Sequence, residues 1–240
     1  MNILARALLV TTLASVSWSV SAIEINENWS LNLNPALVSD YRSFGVSLSR
    51  RQPALQLDAS LMHSSGLLVG IWGSNVDFGG DTRLEEGYYA GYYHQFAPGV
   101  DVFASIGRYE YPKESFINTN EFVGIVNYDA FRLGWVYDFD VKDTPNADFK
   151  YIGYTVPLPQ EYSLYFQYGY NDINFDIFGQ NGDSRQTYSD WQVKLSKPLW
   201  GAVWSAAYID SDLSKSECSY YTGDDKTCSP TVVLGVTKSF

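Results

Sequence analysis

Beyond its N-terminal stretch this chain has no long apolar run. Nothing there approaches the ~20 residues that a membrane-crossing helix needs, and helical periodicity is poor throughout. Beyond that stretch, a membrane-crossing helix is excluded. Basic residues are scarce: 16 Lys and Arg stand against 27 Asp and Glu, giving a formal charge of -11. Apart from Arg50-Arg51 there is no basic cluster. Binding a phosphate backbone needs concentrated Lys and Arg, so nucleic acid is excluded as a partner. The acidity fits an exported protein whose loops face water, and it disfavours anionic cargo unless bases gather locally in a pore. Linkers, low-complexity tracts and a second domain are also lacking.

Histidine is nearly absent, with only His63 and His94. A hydrolase needs an activated nucleophile and an oriented base. His63 lies beside Ser64 and Ser65 in a turn-like segment, and His94 lies near a strand end, so neither pattern makes a triad. Glu85-Glu86 and Asp224-Asp225 are adjacent pairs that would point oppositely on a strand, which makes neither a glycosidase nor a calcium site. No catalytic residue, cofactor or metal is expected. Cysteine is limited to Cys218 and Cys228. An even pair fits an oxidising compartment. The two bracket Ser219 to Thr227, a polar loop with turn formers. A disulfide pinning that loop is the first reading; metal binding is the lesser one, because two thiols alone do not complete a zinc site.

The N-terminus reads as a secretory leader. Asn2 and Arg6 give a short polar, positive start, Ala7 to Val20 is apolar or small, and Val20-Ser21-Ala22 offers cleavage after Ala22. Residues 1–22 are the expected signal peptide and 23–240 the mature domain. Removing the leader takes away one Arg and no acid, so -11 becomes -12. A single membrane helix is the weaker alternative.

What the chain does have is aromatic residues, 19 Tyr, 13 Phe and 7 Trp, with 19 Gly. Aromatics favour strands and the interfacial girdles of membrane barrels. Twelve strands are expected near 28–40, 52–63, 67–78, 84–96, 100–111, 120–129, 131–141, 148–156, 162–175, 186–197, 201–212 and 230–240. Several alternate clearly. Phe131, Leu133, Trp135, Tyr137 and Phe139 oppose Arg132, Gly134 and Asp138. Leu164, Phe166, Tyr168 and Tyr170 oppose Gln167 and Asn171. Trp191, Val193 and Leu195 oppose Asp190, Gln192 and Lys194. Leu55, Leu57 and Leu61 oppose Gln56 and Asp58. The last segment carries Val232, Leu234, Val236 and Phe240 on one face. A soluble sheet with one apolar face would alternate in the same way. The leader, the aromatic strands and the terminal Phe favour a single antiparallel transmembrane β-barrel.

Connection lengths alternate. His63-Ser-Ser-Gly66, Ala97-Pro-Gly99, Asp129-Ala130, Pro157 to Gln160 and Lys197 to Gly201 are short. The links at 41–51, 176–185 and 213–229 are long. That rhythm matches short periplasmic turns and longer external loops, and it places both chain ends in the periplasm and the Cys loop outside.

Two stretches carry a specific resemblance. Ser39-Asp-Tyr-Arg-Ser-Phe-Gly-Val-Ser-Leu-Ser49 is one. His63-Ser-Ser-Gly66 followed by Gly70-Ile-Trp-Gly-Ser-Asn-Val-Asp-Phe78 is the other. The chain resembles the TorF porin family, exported proteins of unknown function that are expected to form outer-membrane barrels. Ser39, Asp40, Tyr41, Arg42 and Gly45 match its first motif, and Gly66, Gly70, Trp72, Ser74 and Asn75 its second. Ser43-Phe44 stands where members often carry Arg before the Gly, so no basic cluster is implied there. The resemblance implies no particular substrate. Read physically, Asp40 and Arg42 organise a loop or contact cargo, Trp72 is a wall or girdle residue or a sugar platform, and Gly66 serves its turn.

The expected function is passive diffusion of small hydrophilic solutes across the bacterial outer membrane. The expected lumen residues are Gln56, Asp58, Arg132, Asp138, Gln167, Asp190, Gln192 and Lys194, which either line a wet path or pair to fill the interior. The implied partners are outer-membrane lipid, export and barrel-assembly machinery and the solutes themselves. Oligomeric state cannot be read from alternation. A nonconducting structural or surface-recognition barrel, with Tyr220-Tyr221 in an external loop, is the alternative; an outer-membrane lipase is a weaker one.

Overall fold

The computed structural model of the protein describes residues 22–240. The expected leader, except for Ala22, lies outside the described residues. Twelve strands run antiparallel to their neighbours in chain order: β1 Trp29–Val38, β2 Ala54–His63, β3 Leu67–Asn75, β4 Leu84–Ala97, β5 Val100–Glu110, β6 Thr119–Tyr128, β7 Phe131–Phe139, β8 Ala147–Pro157, β9 Ser163–Phe178, β10 Ser184–Leu199, β11 Ala202–Ser211 and β12 Thr231–Thr237. β1 pairs with both β2 and β12, so the sheet closes on itself. A closed ring leaves no strand edge exposed. A short strand, Ile23–Asn26, folds back on the start of β1.

The seam between β12 and β1 has a local peculiarity. Its ladder runs from Gly235 opposite Val38 to Thr237 opposite Ala36. The next pair would be Lys238 and Pro35. Lys238 N–H does donate to Pro35 O at 3.1 Å, but proline has no N–H to return. Regular strand therefore stops at Thr237, short of the expected residue 240. Pairing resumes at once, because Leu33 and Phe240 exchange both backbone bonds at 3.1 and 2.9 Å.

Alternation sorts the wall into two faces. Outward lie Leu55, Leu57, Leu67, Val69, Ile71, Phe131, Leu133, Trp135, Phe166, Tyr168, Val232 and Leu234, all exposed. An apolar surface spread over so many strands is far larger than soluble monomers show, and it suits hydrocarbon. Inward, glycine makes room for tyrosine on the adjacent strand. A Cβ at Gly70 would come within 2.3 Å of the Tyr89 ring, at Gly134 within 2.1 Å of Tyr151, and at Gly153 within 2.2 Å of the Tyr165 hydroxyl. Tyrosine rings thus lie flat over glycine backbone along the inner wall.

Two features depart from an all-strand reading. The segment after β11 holds a helix, α1 Lys215–Thr222, within what reads from composition as a polar loop. A full capping box nucleates it: the Ser214 side chain accepts from Glu217 N–H while the Glu217 carboxylate accepts from Ser214 N–H, and Gly223 ends it in the left-handed region at φ 80. The link between β1 and β2 does not project outward; it folds inward, as detailed below.

The glycine–tyrosine contacts predict that Gly134→Val destabilises the folded barrel by about 1–3 kcal/mol through overpacking. Gly73, whose Cβ would meet nothing closer than 3.9 Å, serves as control: Gly73→Ala should shift stability by less than about 0.5 kcal/mol. Urea unfolding in lipid vesicles, followed by tryptophan fluorescence, measures both.

Candidate functional site: a polar lumen closed by an infolded link

The expected interior residues fall into separate places along the barrel. Toward the short-turn end, Arg132 on β7 donates through Nε to Asn127 Oδ1 at 2.8 Å, and Asn127 Nδ2 donates to Asp101 Oδ1 at 2.7 Å. Gln192 Nε2 donates to Gln167 Oε1 at 3.2 Å, which also accepts the Tyr165 hydroxyl at 3.0 Å. Lys194 lies 5.5 Å over the Tyr165 ring. On the opposite arc, Asp58 accepts from Asn34 Nδ2 at 3.1 Å and from the Tyr89 hydroxyl at 2.5 Å. The two bases therefore sit on β7 and β10, and Asp58 and Asp101 sit on β2 and β5.

Toward the long-loop end, Gln56, Asp138 and Asp190 are buried. Asn171 Nδ2 donates to Asp190 Oδ1 at 2.9 Å. Two buried acids outside the expected lumen set join them: Glu85, weighed above only as half of an adjacent acidic pair, which accepts the Tyr111 hydroxyl at 2.6 Å, and Glu121, directly across the ladder from Asp138. The parity of β4 and β6 would have revealed both, since Glu85 is in phase with Tyr89, and Glu121 with Val123.

The first resemblance motif supplies what fills this end. Asp40, Tyr41, Arg42, Val46, Ser47, Leu48 and Ser49 are all buried. Arg42 Nε pairs with Asp40 Oδ2 at 2.7 Å, and Arg42 Nη1 donates to Gly45 O at 2.9 Å. Ser47 Oγ donates to Asp40 Oδ1 at 2.5 Å. Asp40 and Arg42 therefore tie the link into a compact unit around a two-residue hairpin, Arg42–Ser43 with Val46–Ser47. Gly45, at φ +81, forms its tip; a Cβ there would lie 2.9 Å from Ser211 Cβ and 3.0 Å from Asp190 Cβ. Phe44 stacks on Phe149 of β8 with centroids 4.5 Å apart, and the Tyr188 hydroxyl of β10 donates to Phe44 O at 3.1 Å. The link leaves β1, reaches the β8–β11 wall and returns to β2, so it crosses the barrel.

Apolar packing surrounds it on both sides. Tyr41 and Leu48 pack with Trp72, Val76, Phe78 and Tyr109. Val46 packs with Phe149, Ile173, Tyr188, Tyr221 and the two cysteines. Trp72 is thus an inward core residue beside Tyr41, centroids 6.3 Å apart, and not a girdle residue. Tyr221 is likewise buried, against Phe175 and Tyr188; only Tyr220 of that pair is exposed. Cys218 and Cys228 form the expected disulfide. The other motif residues serve local backbone. Ser39 Oγ accepts Leu234 N–H at 2.9 Å, Asn75 Oδ1 accepts Leu55 N–H at 2.7 Å, and Ser74 Oγ accepts from Gln56 Nε2 at 3.4 Å. Gly66, at φ +94, bonds back to His63 O at 2.8 Å in its turn.

His63 makes a turn contact, its Nδ1 accepting Ser65 N–H at 3.1 Å, and His94 stands among Tyr92 and Phe96. Among the described residues no group of three His, Cys, Asp or Glu is placed to hold a metal ion.

Comparison with known proteins gives a family and a fold. The sequence model of the family described as a bacterial protein of unknown function (Gcw_chp) matches residues 24–240, and the chain belongs to that family. No curated protein matches the sequence. Among solved structures, the NanC porin is similar at TM-score 0.56 and 12% identity, covering 86% of this chain and 97% of that one. A protein solved in work on in-meso crystallization of membrane proteins is similar at TM-score 0.55 and 9% identity, covering 87% and 83%. At these identities the likeness is one of fold.

One ion pair anchors α1 outside the ring. Arg185 Nε donates to Glu217 Oε1 at 2.6 Å, and Arg185 Nη1 lies 3.1 Å from Asp212 Oδ2. Burial pushes the Glu217 carboxyl up, but hydrogen bonds from Arg185 and Ser214 outweigh it and hold the group below its ordinary value. A depressed carboxylate stabilises the fold above its unfolded pKa and loses that contribution as pH falls through its folded one. Protection of residues 214–222 in hydrogen exchange, corrected for intrinsic rates, should therefore drop below about pH 4. Glu217→Gln should show the same loss at pH 7.

Proposed function

We propose that this member of the Gcw_chp family is an outer-membrane channel for passive diffusion of small hydrophilic solutes. The observation that carries the reading is the division of the wall. The outer face is apolar on strand after strand, while the inner face carries Arg132, Lys194, Asp58 and Asp101, with Arg132 joined to Asp101 through Asn127. Lipid on the outside requires the first feature. Charged groups around a narrow interior suit the passage of a polar solute and are costly to bury in a dry core. The name of the NanC porin, a similar barrel, and the resemblance of the two motifs to the TorF porin family support the same reading. In it the mature domain begins after cleavage at Ala22, the termini and short turns face the periplasm, and the Cys218–Cys228 loop faces outside. Gln56, Asp58, Arg132, Asp138, Gln167, Asp190, Gln192 and Lys194 are the interior polar groups a solute meets or passes. Turnover, metal and cofactor have no part in it.

One observation favours a second reading, a nonconducting barrel: the infolded link and its two apolar clusters occupy the long-loop half of the interior. Planar bilayers separate the two. Refolded mature protein should give discrete current steps in salt that fall on adding neutral, cationic or anionic solutes of increasing size. Lys194→Gln should move the reversal potential in a salt gradient toward cation preference, and Asp58→Asn toward anion preference. Membranes that stay silent under every condition, with the link removed as well, leave the nonconducting reading standing.

A further inference from the structure

The link that crosses the barrel is not part of its wall. The ring of β1 to β12 closes through backbone pairing that uses no residue between Ser39 and Pro53 beyond the bonds at Ser39 itself. The segment contributes no rung to that ladder; between its ends it is held by bonds such as Asp77 N–H to Leu48 O at 2.9 Å and the Tyr188 hydroxyl to Phe44 O at 3.1 Å. It also carries local strain. Phe44, Arg50 and Arg51 hold φ of 43, 50 and 61, a region that non-glycine residues seldom occupy. Arg42 Nη2 is buried with no protein hydrogen-bond partner.

Besides the wall contacts of Phe44 and the bond from Asp77 N–H to Leu48 O at 2.9 Å, one neighbouring segment contributes a distinct set of bonds. Ser47 N–H donates to Thr227 O at 2.9 Å. Arg50 Nε lies 3.8 Å from Asp224 Oδ2. Val46 is sealed in the cluster that contains both cysteine side chains. Thr227 and Asp224 both lie inside the ring closed by the Cys218–Cys228 bond, and Cys228 N–H donates to Cys218 Sγ at 3.1 Å. The disulfide thus fixes the shape of the segment that holds the link.

We propose that residues 39–53 are a displaceable gate across the external mouth, and that the disulfide-closed segment 218–228 is its latch. The proposal rests on the diffusion reading only for what the gate admits; the mechanical claim stands without it. When an added dithiol reduces the latch, the Cys218–Cys228 bond breaks and each cysteine sulfur becomes a thiol. The dithiol gives up two electrons and two protons as its own sulfurs join in a cyclic disulfide. Freed of its cross-link, 218–228 no longer holds Asp224 and Thr227 in register with Arg50 and Ser47. The gate then samples its open position far more often. A closed loop constrains exactly the freedom that such a release requires.

The test compares full-length mature wild type, dithiothreitol-reduced wild type and Cys218→Ser/Cys228→Ser, all folded in lipid. Hydrogen exchange across residues 41–49 is read by mass spectrometry, and bilayer current is read in parallel. Exchange in 41–49 should rise at least tenfold in the reduced and double-serine forms, with β3–β8 unchanged, and the fraction of time in a conducting state should rise in proportion. Faster exchange confined to 218–228, with 41–49 as slow as in the oxidised protein, overturns the latch. If the double variant does not fold, reduced folded wild type gives the same readout, its reduction confirmed by mass. Faster exchange in 41–49 with no current in any form supports the latch and rejects the diffusion reading. Discrete currents with unchanged exchange support diffusion and reject the latch.

Discussion

Backbone closure is the constraint from which the rest follows. Hydrocarbon offers no hydrogen-bond partner, so each amide in the wall must find one in the next strand. The chain meets this with one ring, and the ring can close only where β1 accepts both β2 and β12. The seam tolerates Pro35 because the single bond lost there is flanked by the Leu37–Val236 rung of the ladder on one side and the Leu33–Phe240 exchange on the other. Once the ring is closed, side-chain parity is no longer free. Every second residue must suit lipid and every other must suit an interior that twelve strands leave narrow.

That narrowness explains the inner composition. Tyrosine fills space without an aliphatic core, and glycine on the neighbouring strand gives its ring somewhere to lie, as at Gly134 with Tyr151 and Gly153 with Tyr165. The phenol oxygens then enter polar contacts, Tyr89 with Asp58 and Tyr111 with Glu85. The abundance of both residue types is therefore one feature, a wall that is packed and yet wettable. Carboxylates survive burial because hydroxyls and amides from nearby strands reach them.

The strands were legible in the sequence because period two is a strong signal when both faces are constrained. The interior side chains of β2, β7, β9 and β10 could be named from alternation alone. Although the expected long link 176–185 shrinks to residues 179–183, since β9 runs to Phe178 and β10 starts at Ser184, the paired cysteines and most of the alternation of short and long links were legible because each is local. The fate of the link between β1 and β2 was not. Asp40, Arg42, Ser47 and Ser49 look like loop residues, and they are buried by bonding one another, a pattern without period. Trp72, read as a wall or girdle residue, belongs to the wall, and its inward parity on β3 is explained by the infolded link that covers it. Helix α1 has too few turns to show periodicity, yet Ser214 and Glu217 spell a capping box that a search for caps would have found.

The buried polar network of the link bears on how it works. An apolar plug of the same shape would seal the mouth more tightly, since replacing a buried ion pair by packed aliphatics is often neutral or stabilising. Here the hairpin is held by Asp40 and Arg42, whose charges stay compatible with water when the segment moves outward. Its apolar side chains, Tyr41, Val46 and Leu48, are what draw it back, because leaving exposes them to water. The division of labour is consistent: aromatic contacts such as Phe44 on Phe149 define the closed position, and the internal ion pair lets the hairpin keep its shape in either position. A segment built this way is suited to two states, which a permanent structural core has no reason to be.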